Sequence, residues 1–236
     1  MRIFTKHLSR SSGKLAIIVM LSISTLLLNS CVKDDKTAPA VSGLMVVNAS
    51  PGLGTYNLYW GTTKINNAAM PFLSSIAYFQ ITPGVNTLKF TTANSIESVL
   101  TKDLTLEAEK AYSLFLINEV PNLDGLLVKD DLSPTSSDKA FIRFINLSPD
   151  APALDLVQTG GASLITDKAF KSVSDFTLAD AKTYSFDVKN KETGAVIATL
   201  KDISLTAGSM YTITVCGMLS PTEHQEPARI QVYVNR

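Results

Sequence analysis

Histidine and cysteine are nearly missing from this sequence: His7 and His224, Cys31 and Cys216, in 236 residues. So few cannot build a multi-Cys zinc site, and they leave a His-dependent catalytic triad without parts. Charge is sparse too, at 18% of residues against the roughly 25% usual in soluble domains. The acidic residues nowhere take the Asp-x-Asp-x-Asp-Gly spacing of a calcium loop. No Gly-rich loop joins a strand to a helix, so nothing is shaped to cradle a nucleotide. The formal net charge is zero, but the first 30 residues hold Arg2, Lys6, Arg10 and Lys14 and no acid. Without them 17 basic face 21 acidic residues, a net charge near −4, which argues against nucleic acid as a partner. What is present is 45% apolar and 8% aromatic, an ordinary globular mixture long enough for one or two cores.

The N-terminus reads as an address. Residues 1–14 are basic, and Leu15 to Leu28 is a 14-residue apolar run interrupted only by Ser and Thr. A membrane span needs about 20 such residues, so this length suits a secretory h-region. Leu28-Asn29-Ser30-Cys31 then resembles a bacterial lipobox, in which the small Ser30 admits the peptidase and the Cys31 thiol receives the lipid. Acyl chains there contribute about 0.8 kcal/mol per buried methylene, so two or more make release from the membrane negligible. Lys33, Asp34 and Asp35 follow. The order Cys-x-Lys-Asp-Asp is similar to the surface-export signal of Bacteroidetes lipoproteins, and a merely solvated tether is the alternative. Residues 1–30 are thus expected to be a lipoprotein signal peptide and 31–40 an acidic tether. The expected location is the outer membrane, lipid-anchored and facing the exterior.

Beyond the tether the chain repeats itself. Asn48-x-Ser50-Pro51 recurs as Asn146-x-Ser148-Pro149, 98 residues on, and Phe72 lies over Phe170. Asp103-Leu-Thr-Leu-Glu-Ala recurs as Asp202-Ile-Ser-Leu-Thr-Ala at a spacing of 99. Two units, 41–133 and 134–236, follow from this, joined through the linker-like Ser133-Pro134-Thr135-Ser136-Ser137-Asp138. Each unit holds about seven short β-branched and aromatic stretches separated by Gly, Pro, Asn and Asp. In the first these are 43–49, 55–60, 75–81, 86–92, 98–104, 111–120 and 125–130. In the second they are 140–147, 153–158, 173–178, 183–189, 195–200, 209–218 and 229–235. No stretch carries a capped helical stripe. The fold class expected is all-β, a pair of tandem sandwiches.

Phe141-Ile-Arg143-Phe-Ile-Asn146-Leu-Ser148-Pro149-Asp150-Ala151-Pro152-Ala-Leu-Asp155-Leu resembles the signature of domain-of-unknown-function family 4397. The first copy departs from it, with Gly52-Leu53-Gly54 in place of Asp-Ala-Pro and Asn57 in place of Asp155. The resemblance implies immunoglobulin-like β-sandwiches in secreted or surface proteins and attaches no reaction to them. The Ser-Pro-Asp-Ala-Pro turn reads as a rigid corner, with Asp155 placed to pair with Arg143 across it.

Few residues are left for chemistry. His224 sits among Glu223 and Glu226 in a polar loop, and Cys216 lies on a strand without a Cys partner, which suits a buried thiol. The aromatics Tyr59 and Trp60, beside Asn57, are private to the first copy, because the second has Val157 and Gln158 in their places. By alternation Tyr56 and Leu58 face the core, leaving Tyr59 outward and Trp60 at the strand end. Asn57, Tyr59 and Trp60 are therefore the candidate ligand residues, with a glycan or a surface protein as partner and no metal or other cofactor. A half-buried lid on the core is the competing role for Trp60. The function expected is non-catalytic binding or adhesion, not catalysis. The alternative is a fimbrial-type subunit assembling by strand exchange.

Overall fold

The computed structural model describes residues 40–133 and 135–236. Cys31, Lys33, Asp34 and Asp35 lie outside the described residues, as do the signal peptide and all but the last residue of the tether. Every regular element among the described residues is a β-strand. The first half contains β1 (Ser42–Asn48), β2 (Tyr56–Trp60), β3 (Thr63–Lys64), β4 (Ser75–Ile81), β5 (Gly84–Thr92), β6 (Ser98–Leu106), β7 (Ala111–Ile117) and β8 (Asp124–Asp130). The second contains β9 (Lys139–Leu147), β10 (Leu154–Gln158), β11 (Ser163–Lys168), β12 (Thr177–Asp180), β13 (Thr183–Asn190), β14 (Val196–Ser204), β15 (Met210–Cys216) and β16 (Arg229–Val234).

These strands make four four-stranded sheets, with the same order in each half. The sheet β4-β1-β7-β8 corresponds to β12-β9-β15-β16, and β3-β2-β5-β6 to β11-β10-β13-β14. In both halves the first strand runs parallel to the seventh, β1 with β7 and β9 with β15. The architecture is two tandem β-sandwiches. The repeated Asn-x-Ser-Pro also does the same work twice. Asn48 Nδ2 donates to the Met70 carbonyl at 3.0 Å while its Oδ1 accepts from Ser50 N at 3.1 Å. Asn146 repeats both bonds, to the Lys168 carbonyl and from Ser148 N, at the same distances.

Period-2 alternation builds one core per sandwich. Leu44, Val46, Leu58, Leu88, Phe90 and Leu114 fill the first. Ile142, Phe144, Leu156, Phe186, Val188 and Ile213 fill the second. Each such side chain contributes about 1.5–3 kcal/mol through its apolar burial. The central strands β1, β7, β9 and β15, however, are buried on both faces. Their second faces meet in a third apolar cluster, where Met45, Val47, Phe115 and Ile117 pack with Ile145, Leu147, Cys216 and Tyr233. The inner sheets of the two sandwiches therefore face each other, with the other two sheets outermost.

Each half has eight strands where seven stretches were legible. The extra ones, β3 and β11, are edge partners of β2 and β10. β3 is two residues long, and β11 is largely polar and joined through register shifts, so neither carries an alternating apolar pattern. The strand expected at 173–178 is displaced to β12. Ser174 breaks the ladder there, its Oγ accepting from Phe144 N at 2.9 Å, and Val173 keeps only an isolated bridge to Ile145.

Candidate functional site

β2 divides the three candidate ligand residues between two faces. Asn57 and Tyr59 point out of the outer sheet, whereas Trp60 lies on the side of Leu58 and packs half-buried against the first core. Asn57 is only 5% exposed, its amide donating to the Thr92 carbonyl at 3.4 Å and the Ala93 carbonyl at 3.5 Å. Tyr59 is thus the aromatic ring on the outward face. Its cross-strand neighbours are Lys64 on β3 and Lys89 on β5, and Lys89 in turn pairs with Thr101 on β6. Lys64, Lys89 and Thr101 are exposed. One row of residues across four strands thus presents a ring flanked by two ammonium groups. Asp103, farther along β6 on that face, is taken up by Thr87 Oγ1 at 2.6 Å. The corresponding row of the second sandwich reads Val157, Asp187 and Thr199, with no aromatic and no cation.

A second polar constellation lies between the inner sheets. Arg143 does not pair with Asp155, as expected from the turn. Its Nη2 meets Asp130 Oδ1 at 2.5 Å, across the junction, with the two side chains 2% and 0% exposed. Strand alternation explains the correction: Arg143 is odd in a register whose even members, Ile142 and Phe144, fill the second core. Asp155 instead accepts from Asp167 N at 2.7 Å. Around the pair, Tyr78 Oη and Ser113 Oγ donate to Asp130 Oδ2 at 2.6 and 2.7 Å. Arg143 Nε donates to Thr212 Oγ1 at 2.8 Å, Thr212 donates to Asn235 Oδ1, and Asn235 Nδ2 donates to Tyr78 Oη at 2.9 Å. The guanidinium also lies 4.7 Å from the Phe176 ring centre, a cation–π distance. Burial, then the Asp130 charge, pushes the Tyr78 phenol well above its ordinary range. None of Asp130, Tyr78, Ser113, Thr212 or Asn235 stood out in the sequence. The signal was there: Asp130 and Asn235 occupy the same place in the two copies, as do Met45 and Arg143, and the chemistry differs at both.

The remaining candidates are structural or solvated. Ser148 Oγ donates to the Gly217 carbonyl at 2.6 Å, and Asp150 accepts from Leu219 N and Ser220 N at 2.9 and 3.0 Å, so the turn is a corner held by hydrogen bonds. In the first copy Gly52 replaces that Asp, and a Cβ there would stand 3.2 Å from Glu119. The loop of the second sandwich uses the space, with Gln225 Nε2 on Glu119 Oε1 at 2.5 Å and Glu226 N on the Pro51 carbonyl at 2.7 Å. Cys216 is fully buried, and burial pushes its thiol up to about 12. His224 is exposed beside Glu223. Among the described residues no three His, Cys, Asp or Glu converge to hold a metal, and no helix is long and apolar enough to cross a membrane. Clefts of about 510 and 370 Å³ flank the connector, the first lined by Glu109, Lys110 and Leu132, the second by Phe141, Arg143 and Phe176.

No curated protein matches the chain. Two solved structures are similar over most of its length. One is a family 26 carbohydrate-binding module, CBMbc of Amy13K from Eubacterium rectale, in complex with maltoheptaose. It is 12% identical, covering 81% of this chain and 96% of that one, with a TM-score of 0.25. The other, described as a candidate cell adhesion protein from Bacteroides eggerthii, is 11% identical over 83% and 96%, with a TM-score of 0.24. Residues 42–157, which span the first sandwich, β9 and nearly all of β10, match the family model Domain of unknown function (DUF4397), in support of the family resemblance carried by residues 141–156.

Proposed function

We propose that this protein is a lipid-anchored outer-membrane protein, exposed at the cell surface, whose two tandem family domains form a non-catalytic binding or adhesion module. The anchor is Cys31, and Lys33, Asp34 and Asp35 direct export. The observation that carries the binding role is the row Lys64–Tyr59–Lys89–Thr101 on the outer sheet of the first sandwich. The Tyr59 ring offers a sugar face a stacking partner, and two ammonium groups beside it favour acidic glycans. One stacked ring contributes about 1 kcal/mol, so useful avidity comes from many copies on one membrane. The strand-exchange alternative gains no support from the fold. β1 and β9 each have neighbours of their own chain on both sides, leaving no central slot for a donor strand among the described residues.

A glycan array that includes uronic and sialic acids tests the binding role. Saturable binding that falls roughly fivefold in Tyr59→Ala and again in Lys89→Ala supports it. Binding indifferent to both substitutions removes this surface from the reading. Metabolic labelling with a tagged fatty acid tests the anchor separately: label retained by Cys31→Ala would sink it.

A further inference from the structure

The inner faces of the two sandwiches are built from equivalent strands, yet they have diverged in a complementary way. Parallel registers place Met45 beside Ser113 in the first copy and Arg143 beside Thr212 in the second. Antiparallel registers carry the equivalence on from Val128 to Tyr233, and so from Asp130 to Asn235. Likewise Tyr78 corresponds to Phe176. The first copy thus brings a buried anion and no cation to the junction, and the second a buried cation and no anion. Each charge is matched only by the other face.

We infer that this junction is a heterologous recognition surface: the inner face of the first sandwich accepts the inner face of the second and rejects a copy of itself. Pairing two first sandwiches would bury two Asp130 carboxylates without a guanidinium. Pairing two second sandwiches would bury two Arg143 side chains without a carboxylate. An isolated buried charge is far costlier than a matched one, so both self-pairings are disfavoured while the mixed pairing is satisfied. The apolar cluster of the junction, Val47, Phe115, Leu147 and Tyr233 among it, supplies adhesion that does not discriminate. The Tyr233 hydroxyl donating to the Leu73 carbonyl at 3.1 Å adds a second directional tie. The partner that fits either face is the complementary half of this chain, within one molecule or between two. This holds whatever the outer surface binds.

The test cuts the full chain. A protease site is placed between Ser136 and Ser137, in the connector, and the folded protein is cleaved after its uncut melt has been recorded. The two pieces are expected to migrate as one particle in size-exclusion chromatography, and native mass spectrometry is expected to show mixed pairs and no self-pairs. Asp130→Asn is expected to weaken the cut pair at least tenfold. Asp130→Arg is expected to separate it, and Asp130→Arg with Arg143→Asp to restore it. Cleaved wild-type halves that separate or lose their β-type circular dichroism would overturn the inference, as would abundant self-pairs. If the arginine variants do not fold uncut, the isosteric Asp130→Asn decides alone, and undiminished association there overturns charge selection.

Discussion

Arg143 holds a full charge at a place where less than a fiftieth of an exposed arginine's surface meets water, and Asp130 holds the opposite charge there. Removing one partner of such a pair strands the other. Arg143→Met is therefore expected to lower the unfolding free energy by about 3–5 kcal/mol. Adding Asp130→Asn should recover most of that loss, because Met45 and Asn235 show that each site accepts the neutral residue in the sister copy. Urea denaturation of the two variants checks this, and a double variant no more stable than the single one contradicts it. At this scale the sequence was legible where a residue answers to its own strand. Tyr56 and Leu58 inward and Tyr59 outward follow from alternation alone. Arg143 was misassigned because its partner is 13 residues upstream in a different sandwich, and no local spacing encodes a pairing across two stacked sheets.

Among the elements, strand ends are decided by backbone geometry more than by pattern. β15 stops at Gly217, whose φ of +96° is open to glycine and strained for any L side chain. A Cβ there would also stand 2.3 Å from the Pro227 carbonyl oxygen. Gly160, in the turn after β10, has a φ of +70° and nothing within 4 Å. Gly217→Ala is expected to cost about 2–4 kcal/mol, and Gly160→Ala only about 1, so thermal melts of the pair separate collision from strain. Equal losses would show that the close approach to Pro227 relaxes freely. The long outer strands, β5 and β13 among them, were readable because one face of each is apolar and the other polar. β3 and β11 were not, since an edge strand whose outer side meets water needs no apolar periodicity to be held by its neighbour's hydrogen bonds.

For the whole molecule, the third cluster packs the two sandwiches against each other. Cys216, Tyr78 and Tyr233 all border that junction, and burial raises the titration of each above the ordinary 9.0 of a thiol or 10.0 of a phenol. In the unfolded chain these groups release protons at their ordinary values while the folded protein still holds them. Above pH 9 the unfolded state therefore binds fewer protons, and stability falls as pH rises toward and past 10. A single calorimetric transition that moves to lower temperature between pH 8 and 10.5 is the expected result. An unmoved melt, or two transitions at every pH, would place these side chains elsewhere or divide the molecule at the connector. That the chain is a duplicated all-β protein could be read from the repeats. That its halves are stacked inner sheet to inner sheet could not, because an apolar residue on a strand does not announce which of two cores it serves.

The parallel pairing of β1 with β7 has a mechanical consequence. Six consecutive positions of β1, Gly43 to Asn48, are matched with Ala111 to Leu116, and β4 grips the opposite edge. Tension arriving through the chain before Ala40, with the body held elsewhere, draws β1 along its own axis. Its hydrogen bonds on both sides then lie across the load and share it, so they must fail together instead of opening one at a time like a zipper. A load applied along that axis is borne by the whole inner sheet.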